Sequence, residues 1–399
     1  MLRWAVPRVG RLAATLLAGL TAIALAGCAT GFLGSAPGPA TPTAPVSGEV
    51  LGTGATKVAL LLPLSATGNA GQLAMNMKNA ADLALREFPN AQIQILVKDD
   101  SGTADGARAA ATQAISEGAK LILGPLFAQS VSAAAAVAKP AHVPIVAFST
   151  DATSASAGVY LLGFLPQSDV DRIIAYAAAQ GKRSFAALLP NNAYGTLVEA
   201  ALQKAVAAAG GRVTALDHYD LDRGSMQTKA AAFAAVVKGG TVDAVFLPGG
   251  ADEAPFLADI LAAGGVRSSK IKYLGSSQWD DSHILSESNL SGGDYPGADN
   301  TGFASFAQRY QAAFGSPPNR KASLAYDATS LAAGLATRYG NDAYTEKVLT
   351  SASGFIGVDG AFRLLANGLN QRGLAVYEIR RGAAVVVDPA PKSFAKPGF

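Results

Sequence analysis

The stretch "IQILVKDDSGTADGARAAATQAISEGAKLILGPL" (residues 93–126) shows the unit from which the fold of this chain can be predicted. Residues 93–99 and 121–126 are short apolar runs rich in Ile, Leu and Val, and the alanine-rich segment 104–118 between them is typical of a helix. Apolar strands that alternate with helices form a parallel sheet covered on both faces. The stretch therefore predicts a βαβ unit of an α/β protein.

The same alternation runs through most of the chain. It predicts further strands at 57–64, 144–149, 184–189, 242–247 and 271–275, and further helices at 72–88, 130–139, 169–180, 196–209, 226–238 and 253–263. Beyond residue 276 it gives way to a loop-rich stretch, which is followed by helices at 303–314 and 323–339 and by a strand pair at 375–380 and 384–387. About 340 residues follow the N-terminal region. A single hydrophobic core is usually smaller than this, so we expect two domains.

The N-terminal region carries the signals of export. Three arginines and no acid precede an apolar run at 12–25, which is shorter than a membrane span requires, so we predict a signal peptide at 1–27. The tetrapeptide at 25–28 resembles the lipobox of bacterial lipoproteins, which predicts lipidation of Cys28, the only cysteine of the chain. Residues 28–56 are rich in Gly, Pro, Ala, Thr and Ser and predict a flexible linker.

Composition excludes several classes of function. The formal net charge of +3 is carried entirely by the three arginines of the signal peptide, and only 7% of residues are aromatic, so we expect no nucleic-acid partner. The three histidines, His142, His218 and His283, stand far apart, which gives no metal-binding spacing. No phosphate-binding loop or nucleophile elbow is present. We expect no metal, no cofactor and no enzymatic activity.

Polar residues follow the predicted strands where each strand ends. Examples are "LLPLSATGN" (61–69), "VAFSTDATS" (146–154) and "LGSSQWDD" (274–281). In an open α/β sheet the ligand crevice lies beyond the carboxyl ends of the strands, so these loops are candidates for a binding site. Ordinary βα loops are also rich in Gly, Pro and Ser, and the pattern alone leaves that alternative open.

Several longer stretches resemble the type I periplasmic binding proteins of the leucine/isoleucine/valine-binding family, which serve ABC transporters. They include "VPIVAFSTD" (143–151), "NNAYGTLVEAALQKAVAAAGG" (191–211) and "AYDATSLAAGL" (325–335). The segments "RYQAAFGSPP" (309–318) and "NQRGLAVYEIRRG" (370–382) are similar to a lipoprotein branch called penicillin-binding protein activators. The resemblance implies two α/β lobes, each a mostly parallel sheet flanked by helices, with the ligand between them. It assigns 57–165 and 283–347 to lobe one, and 166–282 and 348–396 to lobe two.

The resemblance also implies where the ligand binds. Amino-acid binders of the family hold the α-carboxylate with a Ser after the strand equivalent to 121–124, where this sequence has Ala128. The implied ligand-binding residues are Phe127, Gln129, Ser149, Thr150, Asp151, Tyr194, Ser277, Trp279 and Asp280. Tyr194 and Trp279 are expected to form the walls of the pocket. Since a buried ammonium needs a carboxylate partner, either Asp151 or Asp280 should supply it.

Two functions follow from the resemblance. The first is an extracytoplasmic solute-binding protein that captures a small amino acid or amide-like ligand by hinge closure and delivers it to an ABC permease. The alternative is an interaction protein that contacts a penicillin-binding protein and regulates peptidoglycan synthesis. In both cases the protein is expected in the periplasm, anchored by lipid. Ala29 stands where an Asp would retain an enteric lipoprotein at the inner membrane, so the outer membrane is expected.

The lipobox gives a direct prediction. Cys28→Ser removes the sulfur that would carry the lipid, so the variant should leave the washed membrane fraction and become soluble, while its circular dichroism spectrum stays that of the wild type. Fractionation followed by immunoblotting measures the change. Retention of the variant in washed membranes would contradict the lipid anchor.

Overall fold

The computed structural model describes residues 44–88 and 90–394. The signal peptide, Cys28 and the first part of the predicted linker lie outside these residues. The strands are β1 (Val50–Leu51), β2 (Thr56–Leu62), β3 (Ile93–Asp99), β4 (Ile122–Leu123), β5 (Ile145–Ala147), β6 (Val159–Leu161), β7 (Ser184–Pro190), β8 (Arg212–Tyr219), β9 (Ala244–Phe246), β10 (Lys272–Leu274), β11 (Asp294–Gly297), β12 (Phe355–Gly357), β13 (Gly360–Leu364), β14 (Asn370–Arg372), β15 (Ala375–Arg380) and β16 (Ala383–Asp388).

The helices alternate with these strands over most of the chain. They are α1 (Gly68–Glu87), α2 (Ala104–Ser116), α3 (Ala128–Ala138), α4 (Pro166–Ala179), α5 (Ala193–Ala208), α6 (Arg223–Gly239), α7 (Ala254–Ala263), α8 (Ser282–Ser286), α9 (Asn300–Phe314), α10 (Ala322–Tyr339) and α11 (Glu346–Leu349). Within the described part of the chain, none is long and apolar enough to cross a membrane.

Lobe one is built on a six-stranded sheet in the order β1-β3-β2-β4-β5-β6, in which all strands except β1 are parallel. Successive residues of β2 point to opposite faces, as the pleat requires. Val58, Leu60 and Leu62 pack in the cluster that contains α1 and α10, whereas Ala59 and Leu61 pack in the cluster that contains α2 and α3. Helices therefore cover both faces, as the continuous apolar runs predicted.

Lobe two is built on a seven-stranded sheet in the order β16-β15-β11-β10-β9-β7-β8. The neighbouring strands β11, β10, β9, β7 and β8 run parallel, β15 is antiparallel to β11, and β16 is antiparallel to β15. Ala186 and Leu188 of β7 face the cluster that contains α6 and α7, and Phe185 and Ala187 face the one that contains α4 and α5. The two-lobed, mostly parallel α/β fold is confirmed.

The chain passes between the two sheets three times. The first crossing, residues 162–166, leads from β6 to α4; the second, 297–300, leads from β11 to α9; the third, 372–375, leads from β14 to β15. The strands β12, β13 and β14 form a separate small antiparallel sheet before the third crossing.

Two segments pack on the lobe opposite to the one assigned from the sequence. Residues 283–297, assigned to lobe one, include Tyr295, which lies in the core of lobe two because β11 pairs with β10 and β15. Residues 348–372, assigned to lobe two, include Phe362 and Leu364 in the core of lobe one. The strand β8 was also missed, because only one of its eight residues is fully buried and it lacks an apolar run.

The second part of the predicted linker is folded, which corrects its boundary at residue 56. Residues Val50 and Leu51 form β1 and pair with β3. Ahead of β1, the backbone oxygen of Ser47 accepts a hydrogen bond of 2.7 Å from Lys98, whose ammonium also forms a buried ion pair of 2.7 Å with Glu117. Backbone pairing stabilises this segment where its composition offers little apolar surface to bury.

A group of charged side chains is buried where α10 meets the small sheet. Asp327 is 3% exposed, Asp359 is 0% exposed and Arg372 is 5% exposed. Asp359 is paired, since it accepts hydrogen bonds of 2.7 Å from Arg320 and 2.6 Å from Ser323. Asp327 accepts one hydrogen bond, of 2.8 Å, from the backbone N–H of Val358. Burial raises the pKa of Asp327 to about 7.

This pKa predicts how stability depends on pH. A folded-state pKa above the unfolded value means that the folded protein holds the proton more tightly, so the free energy of unfolding falls as the pH rises toward 7. Between pH 5 and pH 7, the free energy of unfolding of Asp327→Asn should therefore decrease by about 2 kcal/mol less than that of the wild type. The figure follows from about 1.4 kcal/mol for each pH unit. Urea unfolding at several pH values measures it. The exposed Asp105→Asn is the matched control, and equal pH slopes in both variants would contradict the burial argument.

Candidate functional site

A cavity of about 370 Å³, called here the inter-lobe cavity, lies between the two lobes at the three crossings. Its lining residues are Phe164, Leu165, Ser168, Asp169, Ser277, Asp280, Gly297, Ala298, Asn319, Arg320, Lys321, Arg372 and Leu374. They come from all three crossings, from the first turn of α4, from the loop after β10 and from the turn that precedes α10. A volume of this size is typical of small-molecule sites.

A second cavity of about 240 Å³, the lobe-one cavity, adjoins the first and shares Phe164 and Lys321 with it. Its other lining residues are Leu73, Leu126, Phe127, Phe148, Thr150 and Leu324. Apart from Lys321 and Thr150 this lining is hydrocarbon. The two neighbouring cavities are together called the cleft here; the one between the lobes has charged lining and the one in lobe one is mainly apolar.

The lobe-two wall of the inter-lobe cavity is acidic. Asp169, in the first turn of α4, accepts a hydrogen bond of 2.9 Å from the backbone N–H of Ser277. Burial raises the pKa of Asp169 to about 6, against the opposing effect of the Ser277 hydrogen bonds. Asp280 is exposed and accepts hydrogen bonds from the Tyr295 hydroxyl at 3.3 Å and the Asn300 amide at 3.2 Å. This wall can accept hydrogen bonds from an ammonium, amide or hydroxyl group.

The opposite wall is basic. The guanidinium of Arg372 lies 4.4 Å from the centre of the Phe164 ring and donates from Nη2 to the backbone oxygen of Leu162. Arg320 reaches the same cavity and is ion-paired with Asp359 at 2.7 Å. Among the residues that the structure describes, the ammonium of Lys321 makes no hydrogen bond or ion pair. The cavity lining thus includes, besides the acids of lobe two, a guanidinium stacked on an aromatic ring and the ammonium of Lys321.

Four of the nine residues predicted to bind a ligand line the cleft. Ser277 and Asp280 lie on the inter-lobe cavity, and Phe127 and Thr150 on the lobe-one cavity. These positions are compatible with the predicted role, which stays a prediction. They follow strands at the carboxyl edges of the two sheets, where the parallel topology brings loops together.

Three predicted residues of lobe one do not line either cavity. The amide of Gln129 donates to the backbone oxygen of Gly102 at 3.0 Å. Ser149 is buried and accepts a hydrogen bond of 3.1 Å from the backbone N–H of Asp151. The carboxylate of Asp151 accepts from the backbone N–H of Thr153 at 2.9 Å and from its hydroxyl at 2.7 Å. These groups stabilise their own turns, which is the usual role of such residues at loop starts.

The two aromatic residues predicted as pocket walls lie elsewhere. Tyr194 is half-buried in lobe two, and its hydroxyl donates to the backbone oxygen of Pro248 at 3.3 Å. Trp279 is 0% exposed and belongs to the core of lobe two. A Cβ on Gly275 would lie 2.1 Å from the indole, so the absence of a side chain at that position leaves room for the ring. Trp279 is a core residue in this structure, which corrects its predicted place on the cleft.

Sequence reasoning missed the basic wall and Asp169. Arg320 and Lys321 are adjacent in the sequence, but Arg372 lies in the later strand β14, and only the fold brings the three to one cavity. Within residues 44–88 and 90–394, no group of three or more His, Cys, Asp and Glu side chains is placed to hold a metal ion.

Comparisons with known proteins bear on the family and on the fold of the chain. The family described as periplasmic binding protein matches residues 55–384. A putative branched-chain amino acid ABC transporter protein from Rhodospirillum rubrum is 20% identical, with a TM-score of 0.72, over 84% of this chain and 100% of that one. No curated protein sequence matches the chain.

Two further structures were solved with small molecules bound. A substrate-binding protein from Desulfitobacterium hafniense in complex with Leu is 15% identical, with a TM-score of 0.59, over 83% of this chain and 99% of that one. A solute-binding protein from R. palustris in complex with benzoate is 20% identical, with a TM-score of 0.54, over 86% and 98%. At these identities the similarity is one of fold.

The position of Trp279 can be tested in the chain without residues 1–27, where it is the only tryptophan. Its fluorescence should be emitted at short wavelength and should resist quenching by iodide, because the ring is sealed in the core. Trp279→Ala should cost about 3–5 kcal/mol in the free energy of unfolding, as large-to-small core substitutions do. Trp279→Phe is the milder control. Strong iodide quenching of the folded protein would contradict the burial of Trp279 and favour its predicted place on the cleft.

Proposed function

The chain belongs to the periplasmic binding protein family, and we propose that it is the solute-binding component of an ABC transporter of the branched-chain amino acid type. The proposed solute is a small amino acid or amide-like molecule, held in the inter-lobe cavity and delivered to a permease. The observation that carries the proposal is the convergence of charged groups from both lobes on one cavity of about 370 Å³.

The distribution of charge supports a solute with both a donor and an acceptor end. Asp169 and Asp280 form one wall, and Lys321 and Arg372 stand on the other. An amino acid places an ammonium and a carboxylate a few bonds apart, so it can pair with both walls at once. An ammonium buried without a carboxylate partner would cost several kcal/mol.

Asp280 is the better candidate for the ammonium than Asp151. Asp280 lines the inter-lobe cavity and is exposed, with neutral partners on both oxygens. Asp151 lies on neither cavity, and hydrogen bonds from Thr153 lower the pKa of its carboxyl and hold it in its own turn. We therefore assign the ammonium to Asp280, with Asp169 beside it.

The family implies an extracytoplasmic location, and the sequence adds a proposed tether. Lipidation of Cys28 would hold the folded part of the chain at a membrane surface through residues 29–43. Two or more acyl chains make such anchoring stable. With Ala29 after the cysteine, we propose the outer membrane as the site of attachment.

A thermal-shift screen tests the proposed solute. Leu, Ile, Val and their amides are added at millimolar concentration to the chain without residues 1–27. A ligand at about 100 times its dissociation constant stabilises the folded state by about 2.7 kcal/mol. For a chain of this length the melting temperature should rise by at least about 2 °C. Asp280→Asn should abolish the shift, and Asp151→Asn is the matched control that should preserve it.

Each alternative result has a defined meaning. Loss of the shift in Asp151→Asn but not in Asp280→Asn would contradict the assignment of the ammonium. Absence of any shift in the wild type with amino acids, amides and organic acids would contradict solute binding. Retention of a penicillin-binding protein on the immobilised chain would then favour the interaction function instead.

A further inference from the structure

We propose that residues 389–394, called here the C-terminal strap, form a fourth link between the two lobes and limit how far the lobes can rotate about the three crossings. The strap leaves the last strand of lobe two and ends on the small sheet that packs on lobe one. The inference goes beyond the proposed function, because it concerns the motion of the lobes and requires no particular solute.

The strap begins at a fixed point on lobe two. Asp388, the last residue of β16, forms an ion pair of 2.8 Å with Arg172 of α4. The same guanidinium donates from Nε to the backbone oxygen of Leu374 at 2.6 Å. Arg172 therefore joins the start of the strap to α4 and to the third crossing.

The strap then lies directly on the third crossing. A Cβ on Gly373 would stand 2.9 Å from the backbone oxygen of Pro391 and 3.0 Å from its ring. Both distances are shorter than ordinary van der Waals contact, so the absence of a side chain at position 373 allows the strap to approach the crossing this closely. Rotation of the lobes about this crossing would therefore move its backbone against Pro391.

The far end of the strap is held on lobe one by Phe394. Its backbone N–H donates to the backbone oxygen of Ser353 at 3.3 Å. The guanidinium carbon of Arg363 of β13 lies 4.9 Å from the centre of the Phe394 ring, and a Cβ on Gly354 would lie 2.8 Å from the ring. A cation over an aromatic face attracts it. The half-buried ring of Phe394 therefore packs on the small sheet.

The composition of the strap makes it stiff. Pro389 and Pro391 fix their own φ at about −65°, and each favours an extended backbone in the residue before it. Segments rich in proline act as semi-rigid spacers. A semi-rigid link that is continuous with lobe two and packed on lobe one transmits a change in the angle between the lobes to Phe394.

The contacts at both ends of the strap oppose rotation of the lobes. Hinge motion between domains takes place in a few loop residues, which here are the three crossings. A large change of the angle would require Phe394 to leave Arg363 and Gly354, or Pro391 to leave Gly373. The strap therefore favours the arrangement of the lobes in which these contacts are made, and their loss makes other arrangements accessible.

The angle between the lobes can be followed by pulsed electron double resonance between two spin labels. The chain without residues 1–27 carries Cys28→Ser, which removes its only cysteine, and receives Ser132→Cys on α3 and Gln227→Cys on α6. Both positions are exposed, and both helices begin at the carboxyl edges of their sheets, on the side of the cleft. The distance between the labels therefore responds to opening and closing of the lobes.

Phe394→Ala should broaden the distribution of label distances and shift part of it to distances that the labelled parent does not show, because the far end of the strap loses its contacts. Removal of residues 389–399 should have the same effect. The matched control is the exposed Lys392→Ala within the strap, which should keep the distribution of the parent. Circular dichroism checks that each variant is folded.

Gly373→Ala is a second variant, which leaves the strap complete. The backbone of Gly373 does not adopt a positive φ, so alanine is compatible with it, but the added methyl group would displace Pro391. The distribution should broaden as it does in Phe394→Ala.

Two results would overturn the inference. If Phe394→Ala, Gly373→Ala and the chain without residues 389–399 all keep the distribution of the parent, the strap does not restrain the lobes. Equal broadening in Lys392→Ala and Phe394→Ala would contradict the role of the Phe394 contacts. Because no solute is added, either result leaves the proposed solute binding untouched, and a negative thermal-shift screen leaves the strap untouched.

Discussion

The arrangement of the two lobes depends on a set of buried hydrogen bonds between the first and third crossings. Asn370 donates from its amide to the backbone oxygens of Leu161 at 2.9 Å and Gly163 at 2.8 Å, and Arg372 donates to the backbone oxygen of Leu162 between them. These carbonyls lie where the chain leaves the lobe-one sheet, and buried backbone groups require partners. Side chains of β14 therefore fix the two crossings next to each other, and the inter-lobe cavity lies directly on this junction.

A chain of polar contacts extends from this junction to lobe two. Asp359, buried near Arg372, binds Arg320 at 2.7 Å, and Arg320 donates to the Asn300 side chain at 2.8 Å. Asn300, at the end of the second crossing, donates in turn to Asp280 at 3.2 Å. The acid assigned to the solute's ammonium is thus connected through one amide and one guanidinium to the buried charges of lobe one. A change of the angle between the lobes would have to alter these contacts.

The sequence predicts the fold far better than the site, and the reason is physical. Burial on both faces of a parallel sheet demands continuous apolar strands, so β2 and β3 can be located from residue type alone. The edge strand β8, half-buried and polar, carries no such pattern and was missed.

Trp279 was misplaced because the sequence shows an aromatic residue among loop residues. It does not show that Gly275 and Gly293 leave space for the ring below the surface. Arg372, Arg320 and Asp169 lie on separate segments that only the crossings bring together.

The separation of charge across the cavity bears on how a solute would act on the protein. A ligand shifts a conformational equilibrium only by the difference in its affinity for the two states. A molecule that bound Asp169 and Asp280 alone would contact lobe two in any arrangement and would favour none. A solute whose carboxylate paired with Lys321 while its ammonium paired with Asp280 would make both contacts only when the walls are one small molecule apart. Under the proposed function, the acids of lobe two and the ammonium of Lys321 would link recognition of both ends of the solute to closure of the lobes.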